Sequence, residues 1–476
     1  MFVGRKEELE ALAGLWGKRV SSLVTCRGRR RVGKSTLIEE FAARTADNFI
    51  VLEGLAPRKG MSDAKQRKEF CRQLAGQTGR IVPMAKTWAA AFKELDDAIP
   101  QNGRTVVLLD EISWIGGYDP DFPGYLKTAW DRLFKRHDRL VLVLCGSVAA
   151  WIADNILNST GFVGRNSLDL EVPELRLEDA VKVLPVSADR LSSREKIDIL
   201  SIAGCVPKYL EEFRPELTVD ENVRRLCFRP HGILFREFDE TFSDVFGRNA
   251  TERRRVLEML SEAPLSVAEL AEKDGKIPNG HLSRTLKELE LAGFVARESG
   301  LNPMTGACTR RERYRIKDNY VRFYLHFIKP KKQAIENGLF EFTSVEQLKG
   351  WEGILGFQFE NLVLNHLGEL LPRLGLGQTL VLSAAPYVQR GSVRSEGCQI
   401  DLLIQTGRTA IIVEIKRQRA ISADIIEEVD CKRRRLRLSP HLSVRTALVY
   451  DGELSPLVRA EGFFDFIVPF AELLQP

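Results

Sequence analysis

Four short apolar runs, SLVTCRG, FIVLEG, RTVVLLDE and RLVLVLCGS, alternate with segments of helical periodicity in the first 165 residues. A run that is apolar at nearly every position has no wet face, so each predicts a strand buried on both sides. The alternation of such strands with helices predicts an α/β core with a parallel sheet over residues 1–168. From 169 to 245 the pattern turns helical, as in ELRLEDAVKVL and REKIDILSIAG, and predicts a small helical lid.

Residues 246–330 carry three short helical patterns. RRRVLEMLSEA comes first, then SVAELAEK opened by the capping pair Ser266 and Glu269, then HLSRTLKELELAG with Leu282, Leu286 and Leu289 on one face. FVARES and RRERYRI follow on either side of a Gly/Asn/Pro loop, which predicts a hairpin, and the order helix, helix, helix, hairpin predicts a winged helix. After an amphipathic connection, residues 345–476 read as helix, strands, helix, strands: a second α/β domain.

Composition narrows the class. A chain of 476 residues exceeds one core, and 44% hydrophobic with 28% charged residues is ordinary for a folded soluble protein. The net charge of +5 permits a polyanionic partner without implying one. Eight cysteines with no Cys-x-x-Cys pair argue against zinc and against a disulfide framework, and so for a reducing compartment. The start MFVGRKEELE has no apolar leader, and the run LVLVLCGSVAAWIA is too short to span a bilayer. A cytoplasmic protein without a membrane partner is expected.

GRRRVGKST, from Gly28 to Thr36, sits between an apolar strand and the helical LIEEFAART. Gly28 and Gly33 let the backbone of Arg29, Arg30, Arg31 and Val32 wrap closely around phosphates. Lys34 reaches the terminal phosphates, and Ser35 offers a hydroxyl to Mg2+. VVLLDE ends a buried strand with Asp110 and Glu111, where a magnesium-holding carboxylate and a water-orienting base are needed. ATP or GTP binding follows. Ser147, at the end of LVLVLCGS, is either a γ-phosphate sensor or a plain helix N-cap.

In QIDLLIQTGRTAIIVEIK two apolar strands flank a Thr-Gly-Arg turn and carry Asp401, Glu414 and Lys416. Alternation puts Glu414 and Lys416 on one face, and hairpin pairing brings Asp401 beside Glu414. Two neighbouring carboxylates ask for a cation, with Mg2+ the obvious one, and a lysine there can position water or stabilise charge on a phosphate. The plain alternative is a hairpin bearing a Glu414–Lys416 surface ion pair. On the third helix of the winged-helix region Arg284 and Lys287 lie off the leucine face, and Arg310 and Arg311 sit on the hairpin. They suit nucleic-acid phosphates, DNA above all, or else form a solvated face on a spacer module.

FVGRKEELE, GRRRVGKST, VVLLDE, GFVGR (Gly161 to Arg165) and AGCVPKYL (Ala203 to Leu210) together resemble the archaeal-type P-loop ATPases of the AAA-like and STAND group. In these a winged helix and a C-terminal nuclease-like domain follow the ATPase. The resemblance implies adenine rather than guanine. It also implies that Gly4, Arg5 and Glu8 frame the base, that Arg165 senses phosphate or serves as a finger, and that Pro207 marks the lid contact. Ala203-Gly204 departs from the family's two glycines before the proline segment. The hairpin is similar to the PD-(D/E)xK, restriction-endonuclease-like core, which places Glu360 beside the metal and Lys432 against a phosphate. No proline precedes Asp401, where Gln399-Ile400 stands instead.

The function so implied is an ATP-binding and hydrolysing protein that controls a Mg2+-dependent nuclease, possible as a homo-oligomer. The alternatives are a non-cutting ATP switch that binds DNA or protein, and an assembly ATPase.

Overall fold

The computed structural model describes residues 2–18, 20–185, 190–275, 277–308, 312–342, 344–391 and 396–475. It divides into two compact units. The first comprises residues 1–175, 239–253 and 287–293, and the second comprises 176–238, 254–286 and 294–476.

The first unit is built on strands β1 (Ser22–Arg27), β2 (Asn48–Glu53), β3 (Thr105–Asp110), β4 (Leu140–Gly146) and β5 (Asn166–Glu171), in the spatial order β2-β3-β4-β1-β5. All neighbours run parallel. Alternate residues supply two cores. Val24, Cys26, Val106, Leu108, Val141 and Val143 pack with Leu37, Ile38 and Phe41 on one side. The other face meets an aromatic cluster that includes Trp88, Phe92 and Phe122, with the Trp88 and Phe122 rings 4.9 Å apart and edge to face.

The four apolar runs are therefore strands. The fifth strand, NSLDLE, was not anticipated, because an edge strand with only Leu170 fully buried has no continuous apolar run; it also carries the sheet past the expected boundary at 168. The opposite edge, β2, is closed by side chains. Gln66 and Gln73, on the helix Asp63–Thr78, each accept from and donate to the backbone of Leu55 and Glu53 at 2.8–3.0 Å, and Gln77 does the same at Val51. The glutamines satisfy edge groups as a neighbouring strand would.

In the second unit a two-stranded antiparallel ribbon, β6 (Val295–Glu298) with β7 (Arg313–Ile316), follows the helices Val267–Lys273 and Gly280–Leu291. The Ser266–Glu269 capping box forms as expected. A mixed five-stranded sheet then follows: β8 (Val381–Gln389), β9 (Cys398–Thr406), β10 (Thr409–Ile421), β11 (Ser443–Leu454) and β12 (Phe466–Pro469), ordered β12-β11-β10-β9-β8. β8, β9 and β10 pair antiparallel, while β10, β11 and β12 run parallel. The helix Asp424–Arg435 makes the crossover from β10 to β11, and its Ile425 and Val429 bury against Ile400, Leu403, Ile412 and Leu448. No helix among the described residues is long and apolar enough to cross a membrane.

Candidate nucleotide site and carboxylate–lysine cluster

The loop after β1 turns by means of its glycines. A Cβ on Gly28 would stand 2.4 Å from the Val172 carbonyl oxygen, and Gly33 has a φ of +88° where the helix Lys34–Thr45 begins. Val32 anchors the loop in the core. The Lys34 ammonium donates to the carbonyls of Gly28 at 3.1 Å and Arg29 at 3.0 Å. Arg29 is buried, while Arg30 pairs with Asp244 and Arg31 stands 3.8 Å from Glu240, both carboxylates being on the helix Ile233–Phe246. Thr36 is exposed on the helix's first turn.

Two elements complete the arrangement. Ser35 donates its hydroxyl to Asp110 at 2.6 Å, so a hydroxyl and a carboxylate oxygen stand together at the strand end. These hard oxygen donors fit a divalent cation such as Mg2+. Glu111 takes a left-handed conformation (φ +48°) and accepts from the Ser147 hydroxyl at 2.6 Å and the Ser147 backbone N–H at 3.1 Å. Ser147 thus holds the candidate base, and it also lies 3.5 Å from the Lys34 ammonium.

Among the described residues, the non-glycine positions with positive φ are Arg5, Arg31 and Glu111, which fall in three of the motifs expected at the nucleotide. Backbone strain of this sort persists where surrounding structure over-determines it, and it concentrates at functional sites. Arg5 follows Gly4 and donates to the carbonyls of Val32 at 3.0 Å and Pro173 at 2.7 Å and to Glu8 at 3.2 Å, which ties the N-terminal turn to the phosphate loop.

Glu53 was not singled out from sequence. It pairs in register with Asp110, and desolvation at the strand end, then the charges of Asp110 and Glu111, raise its pKa. The available signal was its position as the last residue of the FIVLE run. Arg165, expected at phosphate, instead makes a two-pronged ion pair with Asp131 at 2.8 and 3.0 Å, because the helix Phe122–Arg132 presents that carboxylate to it. Pro207 opens the short helix Pro207–Leu210 of the second unit.

These features meet their counterpart in known proteins. A family model described as an ATPase domain predominantly from Archaea matches residues 2–213. Residues 2–213 form an archaeal-type ATPase domain. A helix-turn-helix domain model matches residues 252–298. An uncharacterised protein of Methanocaldococcus jannaschii is 24% identical over 428 residues, covering 87% of both chains. An uncharacterised ATP-binding protein of the same organism is 54% identical over 41 residues, which is 9% of this chain and 70% of that one.

Among solved structures, a Walker-type ATPase of Pyrococcus abyssi is similar with a TM-score of 0.49 at 17% identity, over 68% of this chain and 96% of that chain. The ORC2 protein of Aeropyrum pernix in ADPNP-ADP complexes is similar with a TM-score of 0.45 at 14% identity, over 70% and 94%.

In the helix-turn-helix region Arg284 and Lys287 are exposed, while Leu286 and Leu289 are buried. Asn279 accepts from the Leu282 N–H at 2.9 Å and caps its helix. Arg310 and Arg311 lie outside the described residues. Arg313 turns inward, to the Pro264 carbonyl at 2.6 Å and Glu269 at 3.4 Å.

Beyond the ATPase domain, the β9–β10 pairing sets Leu402 opposite Val413, and one further step puts Asp401 opposite Glu414 on a shared face. Asp401 accepts from the Ile415 N–H at 3.0 Å. Burial, then the neighbouring Asp401 charge, raises the pKa of Glu414, and burial raises that of Asp401. Lys416 lies 2.9 Å from Glu414, and although burial opposes its charge, the Glu414 and Glu428 carboxylates hold its pKa above the ordinary lysine value.

Two further residues stand near this cluster. Lys432, expected at a phosphate, lies 2.6 Å from Glu414 and 3.3 Å from Glu428, because packing of Ile425 and Val429 turns that side of the helix toward β10. Glu360, expected as a third metal ligand, is pushed up to about 7 by burial and then by the Asp401 charge, and Arg322 and Arg315 oppose the shift. Among the described residues no three His, Cys, Asp or Glu side chains stand together as a ready metal cage. Asp401 and Glu414 fit an oxygen-preferring cation by their chemistry, and Glu360 lies near enough to feel the Asp401 charge.

Proposed function

We propose that the protein is an ATP-hydrolysing switch whose second unit cleaves nucleic-acid phosphodiester bonds, DNA being the favoured substrate. In the ATPase domain the loop N–H groups and Lys34 bind the phosphates. Ser35 and Asp110 hold Mg2+, and Glu111 accepts the proton of the attacking water. Arg284 and Lys287 offer cations to the DNA backbone.

The observation that carries the nuclease reading is the convergence of Asp401, Glu414 and Lys416 on one buried hairpin face, in the PD-(D/E)xK order. Asp401 and Glu414 would hold the divalent cation, which when bound supplies positive charge beside the scissile phosphate. Lys416 donates to a phosphate oxygen or to the attacking water. Two tests apply. Lys34→Ala should abolish most ATP affinity, and undiminished binding would reject the nucleotide assignment. Labelled single-stranded, duplex and branched DNA should be cut in Mg2+ or Mn2+, with ATP modulating the rate, and Asp401→Asn or Glu414→Gln should remove the cutting.

A second reading is a switch that binds DNA or protein without cutting. It is favoured by the pairing of Glu414 with two ammonium groups, and no cleavage of any substrate in the panel would select it.

A further inference from the structure

The charged face of β10 holds a residue that the proposed cleavage does not use. Glu428 and Lys432 lie four residues apart on the helix Asp424–Arg435, so both project from one stripe of its surface. Glu428 stands 2.9 Å from Lys416 and 3.3 Å from Lys432, and Glu414 stands 2.9 Å from Lys416 and 2.6 Å from Lys432. Glu414, Lys416, Glu428 and Lys432 thus close a ring of alternating sign whose charges sum to zero. Asp401 flanks the ring and adds one negative charge.

The two carboxylates of the ring differ. Glu414 is 1% exposed at its side chain, whereas Glu428 is 45% exposed. An ammonium ion on Glu414 is sequestered with it, but one on Glu428 lies at the solvent boundary. Lys432 already reaches both carboxylates, so a small movement of its flexible stem transfers it from the buried partner to the exposed one.

We propose that Lys432 is an exchangeable internal counter-ion: it neutralises Glu414 until a divalent cation takes its place, and Glu428 receives the displaced ammonium. This rests on the nuclease reading and assigns regulation to that site. A buried carboxylate without a cation is costly, and Lys432 supplies one inside the chain. Cation binding at Asp401 and Glu414 is then an exchange, opposed by Lys432 and assisted by Glu428.

The exchange predicts effects of opposite sign. Mn2+ binding to the full-length protein is measured by titration calorimetry, and only binding lost in Asp401→Asn is assigned to this site. Lys432→Met, which keeps the stem and removes the charge, should tighten that binding about tenfold. Glu428→Gln removes the acceptor and should weaken it. Arg433→Met, on the same helix and ion-paired with Asp430 instead, controls for loss of a positive charge and should match the parent.

Equal Mn2+ affinity in the parent and Lys432→Met overturns the counter-ion, and so does equal tightening in Arg433→Met. Unchanged Mn2+ affinity together with weaker duplex binding in Lys432→Met returns the lysine to substrate contact and also overturns it. Absence of any Asp401-dependent Mn2+ binding in both parent and Lys432→Met removes the nuclease reading and the counter-ion together, whereas Asp401-dependent binding that ignores Lys432 removes the counter-ion alone.

Discussion

Ser147 holds Glu111 by two bonds, from its hydroxyl at 2.6 Å and its backbone N–H at 3.1 Å, although the two residues follow different strands. The hydroxyl bond orients the carboxylate that the proposed hydrolysis uses as its base. Ser147→Ala should keep ATP affinity and lower the hydrolysis rate about tenfold, while Glu111→Gln should lower it by about 10²–10⁴. Steady-state phosphate release checks both, and an unchanged kcat in Ser147→Ala would deny the serine a part in hydrolysis; it is no helix cap, since Val148 is the N-cap of the helix Ala149–Ile152.

Arg30 and Arg31 of the phosphate loop are engaged by Asp244 and Glu240. On the proposed ATP reading, both carboxylates would compete with the triphosphate for these guanidinium groups. Asp244→Asn combined with Glu240→Gln should tighten ATP binding about fivefold, with the gain shrinking as salt is raised. Fluorescent-nucleotide titration at two ionic strengths measures it.

The Arg417 side chain is 1% exposed, beside Asp198 of the helix Ser193–Ala203 and Glu352 of the helix Trp351–Asn365. Burial raises the pKa of Asp198 and Arg417 opposes that shift. Arg417→Met strands a buried carboxylate and should cost about 3–5 kcal/mol. Adding Asp198→Asn should recover part of the loss, and denaturant unfolding of the two variants supplies the comparison.

Hydrogen bonding from Arg165 holds the Asp131 pKa at about 2, below the usual 3.8. A depressed carboxylate pKa contributes stability above the unfolded value, and that contribution disappears as pH falls from about 3.8 toward about 2. The pair is partly exposed, so Asp131→Asn should cost only about 0.5 kcal/mol at neutral pH. The variant should converge with the parent by pH 2, which thermal melts across that range will show.

The nucleotide site was legible because its parts are local. Gly28, Gly33 and Lys34 lie within one loop, and Asp110 and Glu111 end an apolar run that has no alternative to burial. The Asp401–Glu414 pairing was legible for a related reason, since a short turn fixes hairpin register. Glu428 was not, because its partners depend on where a helix docks rather than on spacing along the chain. The same holds for Gln66, Gln73 and Gln77, ordinary polar residues until an open sheet edge lies beside them. The Arg165 ion pair was not legible either, because its motif says nothing of Asp131, more than thirty positions earlier.

Lys416 and Arg417 are adjacent on β10, so the pleat sends them to opposite sides of the sheet. One meets the carboxylates of the hairpin face, and the other grips the helix Ser193–Ala203. Inserting a single residue before Lys416 would put the lysine where the Arg417 anchor belongs and send the guanidinium to the hairpin face, two residues beyond where the ammonium stands. Inserting two would restore the sides but shift both side chains along the strand by nearly seven ångströms, about 6.8 Å. The two tasks therefore share a single phase, and the chain cannot lengthen here to serve one without displacing the other.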